Sequence, residues 1–126
     1  MSEHTHGKAV LDDVVPLGLA LRQVIPDVYK GYSALSTAAM APGALGVRTK
    51  ELIALGVSVT LRCDGCIASH ARGAAIAGAS REEVAEAIGV AILLNGGPAT
   101  VYGPRAFDAF CEFAAARDAK AAQNGS

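Results

Sequence analysis

From Val47 to about Leu61 the sequence is rich in Leu, Ile, Val and Ala on nearly every side, with Glu51, Ser58 and Arg62 read as the breaks in that apolar cover. A segment apolar around most of its circumference predicts a helix buried on more than one face. Upstream, the pattern predicts one helix from about Asp12 to Val24 and another from Pro26 to about Met40, because proline suits a first helical turn. Ala41-Pro42-Gly43 ends the second. Downstream, a fourth helix is expected to begin near Cys63 or Asp64 and to stop at Gly78, where glycine closes a helix in the left-handed conformation. Ser80-Arg81-Glu82-Glu83 has the Ser and Glu spacing of a capping box and opens a fifth helix through Leu94. Asn95-Gly96-Gly97-Pro98 then reads as a stop and a restart, with a last helix from about Pro98 to Lys120 that Pro104 should kink.

No strand-like alternation exceeds a few residues, and no Asn-Gly or Asp-Gly turn lies between β-branched runs. The expectation is an all-α, single-domain subunit of about six helices over residues 1–126, with Met1 to Lys8 and Ala121 to Ser126 as solvated tails. His4 and His6 then belong to the first tail. In the fifth helix, Val84, Ala87, Ile88, Val90, Ala91, Ile92, Leu93 and Leu94 leave almost no polar face in its second half. So short a chain struggles to bury that surface alone, which points to a homo-oligomer.

Composition narrows the function. Hydrophobic residues make up 52% of the 126, mostly Ala, Val, Leu and Ile, with no Trp, which suits closely packed helices. The formal net charge is -1 and the basic residues are scattered, so the electrostatic footprint of a nucleic-acid binder is absent. The polar start carries no export or organellar signal, and no apolar run approaches the ~20 residues of a membrane span. A cytoplasmic location is the expectation.

In a reducing compartment three cysteines do not make a structural disulfide framework. Cys111, among Phe110, Phe113 and alanines, reads as a small buried hydrophobe. Cys63 and Cys66 read as chemistry. With His70 they sit at offsets of three and four, on one stripe of a helix, so the three side chains can meet. A Cys-X-X-Cys pair can close a disulfide with little backbone movement, and a sulfenic acid formed on one sulfur can be captured by the other. Helix N–H groups and the positive dipole end favour the thiolate, which by itself singles out Cys63 as the attacking sulfur. His70 is placed to accept or relay a proton. Zinc is the rival use of this set, yet it wants four ligands and only three are supplied here. Glu51, twelve residues before Cys63, either faces water with Ser58 and Arg62 or folds back to the thiols as a proton-exchanging acid. Asp64 reads as a helix-start residue.

The order Glu51, eleven residues, Cys63-X-X-Cys66, three residues, His70 lies within Thr49-Lys50-Glu51-Leu52-Ile53-Ala54-Leu55 and ahead of Ala-Gly-Ala-Ser-Arg-Glu-Glu-Val-Ala-Glu-Ala. It resembles the alkylhydroperoxidase D-like branch of the carboxymuconolactone decarboxylase family over about Pro26 to Phe110. The resemblance implies an all-helical subunit assembling into trimers or hexamers, and a peroxidase acting on a hydroperoxide substrate through a redox-active disulfide. No haem, flavin or metal cofactor is implied. By the resemblance Cys66 is the peroxide-attacking thiol, Cys63 its resolving partner, and Glu51 with His70 the proton relay; a lipoyl-type dithiol is the implied reductant. Gly65 departs from the pattern, standing where better-known peroxidase members carry a histidine, and this opens general thiol–disulfide exchange as an alternative. A lactone-acid decarboxylase, a lyase needing a proton donor and anion-binding groups rather than two thiols, is another, and a non-enzymatic helical oligomer a third.

Overall fold

Six α-helices and their connecting turns make up residues 3–125, the part of the chain that the computed structural model describes, and these residues contain no strand. The helices are α1 (Lys8–Val24), α2 (Pro26–Met40), α3 (Val47–Leu61), α4 (Asp64–Ile76), α5 (Arg81–Asn95) and α6 (Ala99–Asn124). Local chemistry explains most of the boundaries. Pro26 stands in the first turn of α2. At the start of α5 the Glu83 N–H donates to Ser80 Oγ at 3.1 Å, and the Ser80 N–H donates to Glu83 Oε1 at 2.8 Å. That backbone N–H of Ser80 holds the Glu83 carboxyl below its ordinary range. Gly78, at φ +84, closes α4 by donating its N–H to the Ala75 carbonyl at 3.0 Å. None of the helices described is long and apolar enough to cross a membrane.

Helix α4 packs mainly between α3 and α6, and α5 leans on the same two helices. Phe110, Leu55, Ile67, Val59 and Val84 are the largest fully buried side chains, each contributing roughly 1.5–3 kcal/mol by leaving water. Alanines 68, 71, 74 and 75 on α4 and 106 and 109 on α6 are buried with them. Small side chains at these contacts let helix axes approach closely, so few aromatics suffice to fill the core.

The N-terminal segment differs from the solvated tail expected of it. Helix α1 begins at Lys8, not near Asp12, and the residues before it are tied to α6. His4 Nδ1 lies 3.0 Å from Asp108 Oδ1, Gly7 is buried, and the Lys8 N–H donates to Glu112 Oε1 at 3.1 Å. Asp108 and Glu112 stand one turn apart on α6 and supply both anchors. At the other end α6 continues past Lys120 as an exposed helical turn to Asn124, and it is one helix through Pro104. Met1, Ser2 and Ser126, also assigned to tails, lie outside the described residues.

The expectation that α3 is buried on more than one face is also corrected. Leu55, Ser58 and Val59 are buried, whereas Ile53, Val57 and Leu61 are exposed, because α4, α5 and α6 cover only one side of the helix. Neither α1 nor α2 buries any residue within the chain.

Between α3 and α4 the chain turns on Arg62, at φ 55 and ψ 42, the one non-glycine with positive φ among the described residues. Its N–H donates to the Val59 carbonyl at 3.1 Å and the Cys63 N–H to the Ser58 carbonyl at 3.2 Å, paired bonds that end α3 and aim Cys63 at the next helix. A left-handed arginine is strained by ~1 kcal/mol or more. Arg62→Gly is therefore expected to raise the unfolding free energy by about 1 kcal/mol in urea denaturation. A loss of stability instead would show that the arginine side chain outweighs its own backbone strain.

Candidate active site

The turn at Arg62 delivers Cys63, in extended conformation, to the N-cap of α4, a place more often held by Ser or Asp. Its Sγ accepts the Cys66 N–H at 3.3 Å. Cys63 and Cys66 are joined in a disulfide, with their Cα atoms 5.2 Å apart, and both are half-buried. When the pair is reduced, the Cys66 N–H and the helix dipole both favour a thiolate on Cys63.

His70 follows Cys66 by one turn of α4. Its Nδ1 lies 2.9 Å from Glu51 Oε2 on α3. An ionised carboxylate only accepts, so Nδ1 carries the proton of the neutral ring and donates it, leaving Nε2 as an acceptor. Glu51 is turned inward rather than to water: its side chain is 14% exposed and that of His70 is 32%. Helix α3 thus contributes the acid, and α4 with its N-cap residue contributes the imidazole and both sulfurs.

Two arginines hold the far end of α4. Arg117 Nη1 donates to the Ala75 and Ala79 carbonyls at 2.8 and 3.3 Å, and Arg48 Nε donates to the Ala77 carbonyl at 3.3 Å. Cations suit the negative end of a helix dipole, and these add side-chain donors to carbonyls in the last turn of α4 and just beyond it. No local signal reveals them, since Arg117 stands 42 residues beyond Ala75.

Asp64 is the first residue of α4, and its Oδ1 accepts the Gly65 N–H at 2.7 Å, a helix-start role. Packing does not impose glycine at 65, because a Cβ there would meet only Val14 Cγ1, at 3.9 Å. Cys111 is apart from the pair, its thiol unpaired and its side chain half-buried against the core rather than fully enclosed. Among the described residues, no group of three or more His, Cys, Asp or Glu side chains is arranged to hold a metal ion.

A cleft of about 740 Å³ between α1, α4 and α6 is bordered by Leu11, Val15, Ser69, Arg72 and Phe113, so it opens on the side of α4 that flanks His70. A second groove, about 430 Å³ and strongly apolar, lies between α3 and α5. Ile53, Val57, Leu61, Val90 and Leu94 line it, and none of Glu51, Cys63, Cys66 or His70 does.

Known proteins share this fold. A carboxymuconolactone decarboxylase family protein from Legionella pneumophila superposes with a TM-score of 0.81 at 37% identity, over 84% of this chain and 95% of its own. A family member from Thermotoga maritima, for which involvement in an antioxidative response has been suggested, superposes at 0.66 with 36% identity, over 71% of this chain and 93% of that one. An uncharacterised protein from Haemophilus influenzae is 48% identical over 85 residues, which is 68% of this chain and 75% of the relative. The sequence profile of the carboxymuconolactone decarboxylase family matches residues 26–110, a span containing both cysteines, the imidazole and the acid. The chain belongs to the carboxymuconolactone decarboxylase family.

Proposed function

We propose that this protein is a cytoplasmic, thiol-dependent hydroperoxide reductase of the alkylhydroperoxidase D-like branch of its family. The observation that carries the reading is the Cys63–Cys66 disulfide at the start of α4, one turn from the Glu51–His70 pair. In the proposed cycle the Cys66 thiolate attacks the terminal oxygen of the hydroperoxide. An S–O bond forms, the O–O bond breaks, and the alkoxide leaves as alcohol with a proton delivered through His70. The Cys63 thiol then attacks the sulfenic sulfur; the S–S bond forms and hydroxide leaves as water, taking the thiol's proton. Peroxide gains two electrons and the thiol pair loses two. An external dithiol of lipoyl type restores the pair, so haem, flavin and metal have no part in the cycle. Thiol titration before and after one equivalent of hydroperoxide tests this reading, and an unchanged count refutes it.

A second reading, thiol–disulfide exchange with little peroxidase activity, is favoured by one observation. The Cys66 N–H bonded to Cys63 Sγ activates the first cysteine of the pair for attack on a partner's disulfide.

The catalytic unit in this proposal is a trimer or hexamer. Leu93 and Leu94 are 80% and 81% exposed, and Leu94 lines the apolar groove between α3 and α5. A second copy is the occupant that suits it, because the same chain carries two helices, α1 and α2, with apolar side chains and no buried residue. Light scattering is expected to give three or six copies of the 12.7 kDa chain, and Leu94→Glu is expected to shift the population to monomer. A parent protein that runs as a monomer would overturn the assembly.

A further inference from the structure

Gly73 stands three residues beyond His70 on α4, on the side that meets Glu51 of α3. A Cβ built on Gly73 would overlap the Glu51 carboxylate, lying 2.6 Å from Oε1 and nearer still to Oε2 and Cδ. Ordinary contact between such atoms begins at about 3.5 Å. The carboxylate therefore fills the volume that any side chain at position 73 would take.

Backbone conformation does not explain this glycine. Gly78 and Gly96 are the glycines with positive φ among the described residues, and Gly73 sits inside an ordinary helix. Glycine is a poor helix former, and its neighbours Ala71, Ala74 and Ala75 show that the surrounding packing accepts a methyl group. What distinguishes position 73 is the acid pressed against it.

We infer that Gly73 is a positioning residue: the space left by its missing side chain is the socket in which the Glu51 carboxylate seats to meet His70 Nδ1 at 2.9 Å. The catalytic consequence rests on the peroxidase reading; the socket itself does not. Because the group in the way is the end of a flexible side chain, an alanine at 73 is accommodated by moving the carboxylate, with the fold retained.

The test compares the parent, Gly73→Ala, Glu51→Ala and the double variant. Nitrogen-15 NMR, with His70→Gln to assign the signal, reads the tautomer of the neutral His70 ring. The parent is expected to hold its proton on Nδ1, and Gly73→Ala to lose that preference in favour of Nε2. Thermal denaturation supplies a second readout. With Glu51 truncated the socket is empty, so Gly73→Ala is expected to raise Tm by roughly 4 °C through helix propensity, a gain absent in the parent background. An unchanged tautomer, or equal Tm gains in both backgrounds, overturns the inference. A lost Nδ1 preference with undiminished hydroperoxide turnover upholds the socket and overturns instead the relay assigned to Glu51 and His70.

Discussion

Fully reduced protein treated with one equivalent of an alkyl hydroperoxide is expected to fall from three titratable thiols to one in denaturant, and Cys66→Ser to lose at least about three orders of magnitude in kcat/KM. The stoichiometry follows from the chain. Cys111 is the third cysteine and has no disulfide partner, so closing the Cys63–Cys66 bond leaves one thiol. The size of the kinetic effect follows from losing the attacking thiolate itself, since a serine hydroxyl is a weak nucleophile at neutral pH and cannot form the S–O bond of the proposed cycle. Cys63→Ser separates the two chemical steps. It is expected to consume one peroxide per chain and then stop at a sulfenic acid on Cys66, which a nucleophilic trap labels. The reverse result, a trapped sulfenic acid on Cys63 in Cys66→Ser, would exchange the two roles and give the decisive weight to the Cys66 N–H that Cys63 Sγ accepts. Parent rates in both variants would end the peroxidase reading.

The parts of this molecule that short-range chemistry specifies are visible in its sequence. Ser80 and Glu83 fix the start of α5 by bonds within four residues. Cys66 and His70 share a face of α4 because a single helix sets their spacing, and Cys63 caps that helix in extended conformation three residues before Cys66. Contacts between distant segments leave no such trace. The bonds from His4 to Asp108 and from Lys8 to Glu112 span 104 residues, so a segment that reads as a polar tail is held against α6. Glu51 shows the limit most clearly, for its pattern suits a solvated stripe as well as a buried acid, and only the packing of α3 on α4 decides between them. Arg62 carries no turn signal at all, since glycine or asparagine ordinarily marks a left-handed helix end. The apolar cover of α3 was legible, but which side a single chain buries was not: that depends on which neighbours arrive.

Glu51→Gln and His70→Asn are each expected to lower hydroperoxide turnover by roughly 10²- to 10³-fold, with the double variant no worse than the weaker single. The argument starts from the 2.9 Å contact between His70 Nδ1 and Glu51 Oε2. In the proposed cycle the carboxylate orients the ring and fixes its tautomer, so Nε2 is the nitrogen left to exchange a proton with sulfur or with the departing oxygen. In that cycle it also stabilises the imidazolium that forms when the ring takes a proton, and it does so in a partly buried place, where charge interactions exceed those at an open surface. Glutamine keeps an oxygen that accepts from Nδ1 but removes the charge; alanine removes both. Turnover in Glu51→Gln well above that in Glu51→Ala would assign most of the effect to orientation, and equal losses would assign it to charge. Two groups working as one unit lose their joint contribution when either is removed, which is why the double variant falls no further. Losses that multiply would show that acid and imidazole act separately, and the relay would then be divided into two independent contributions.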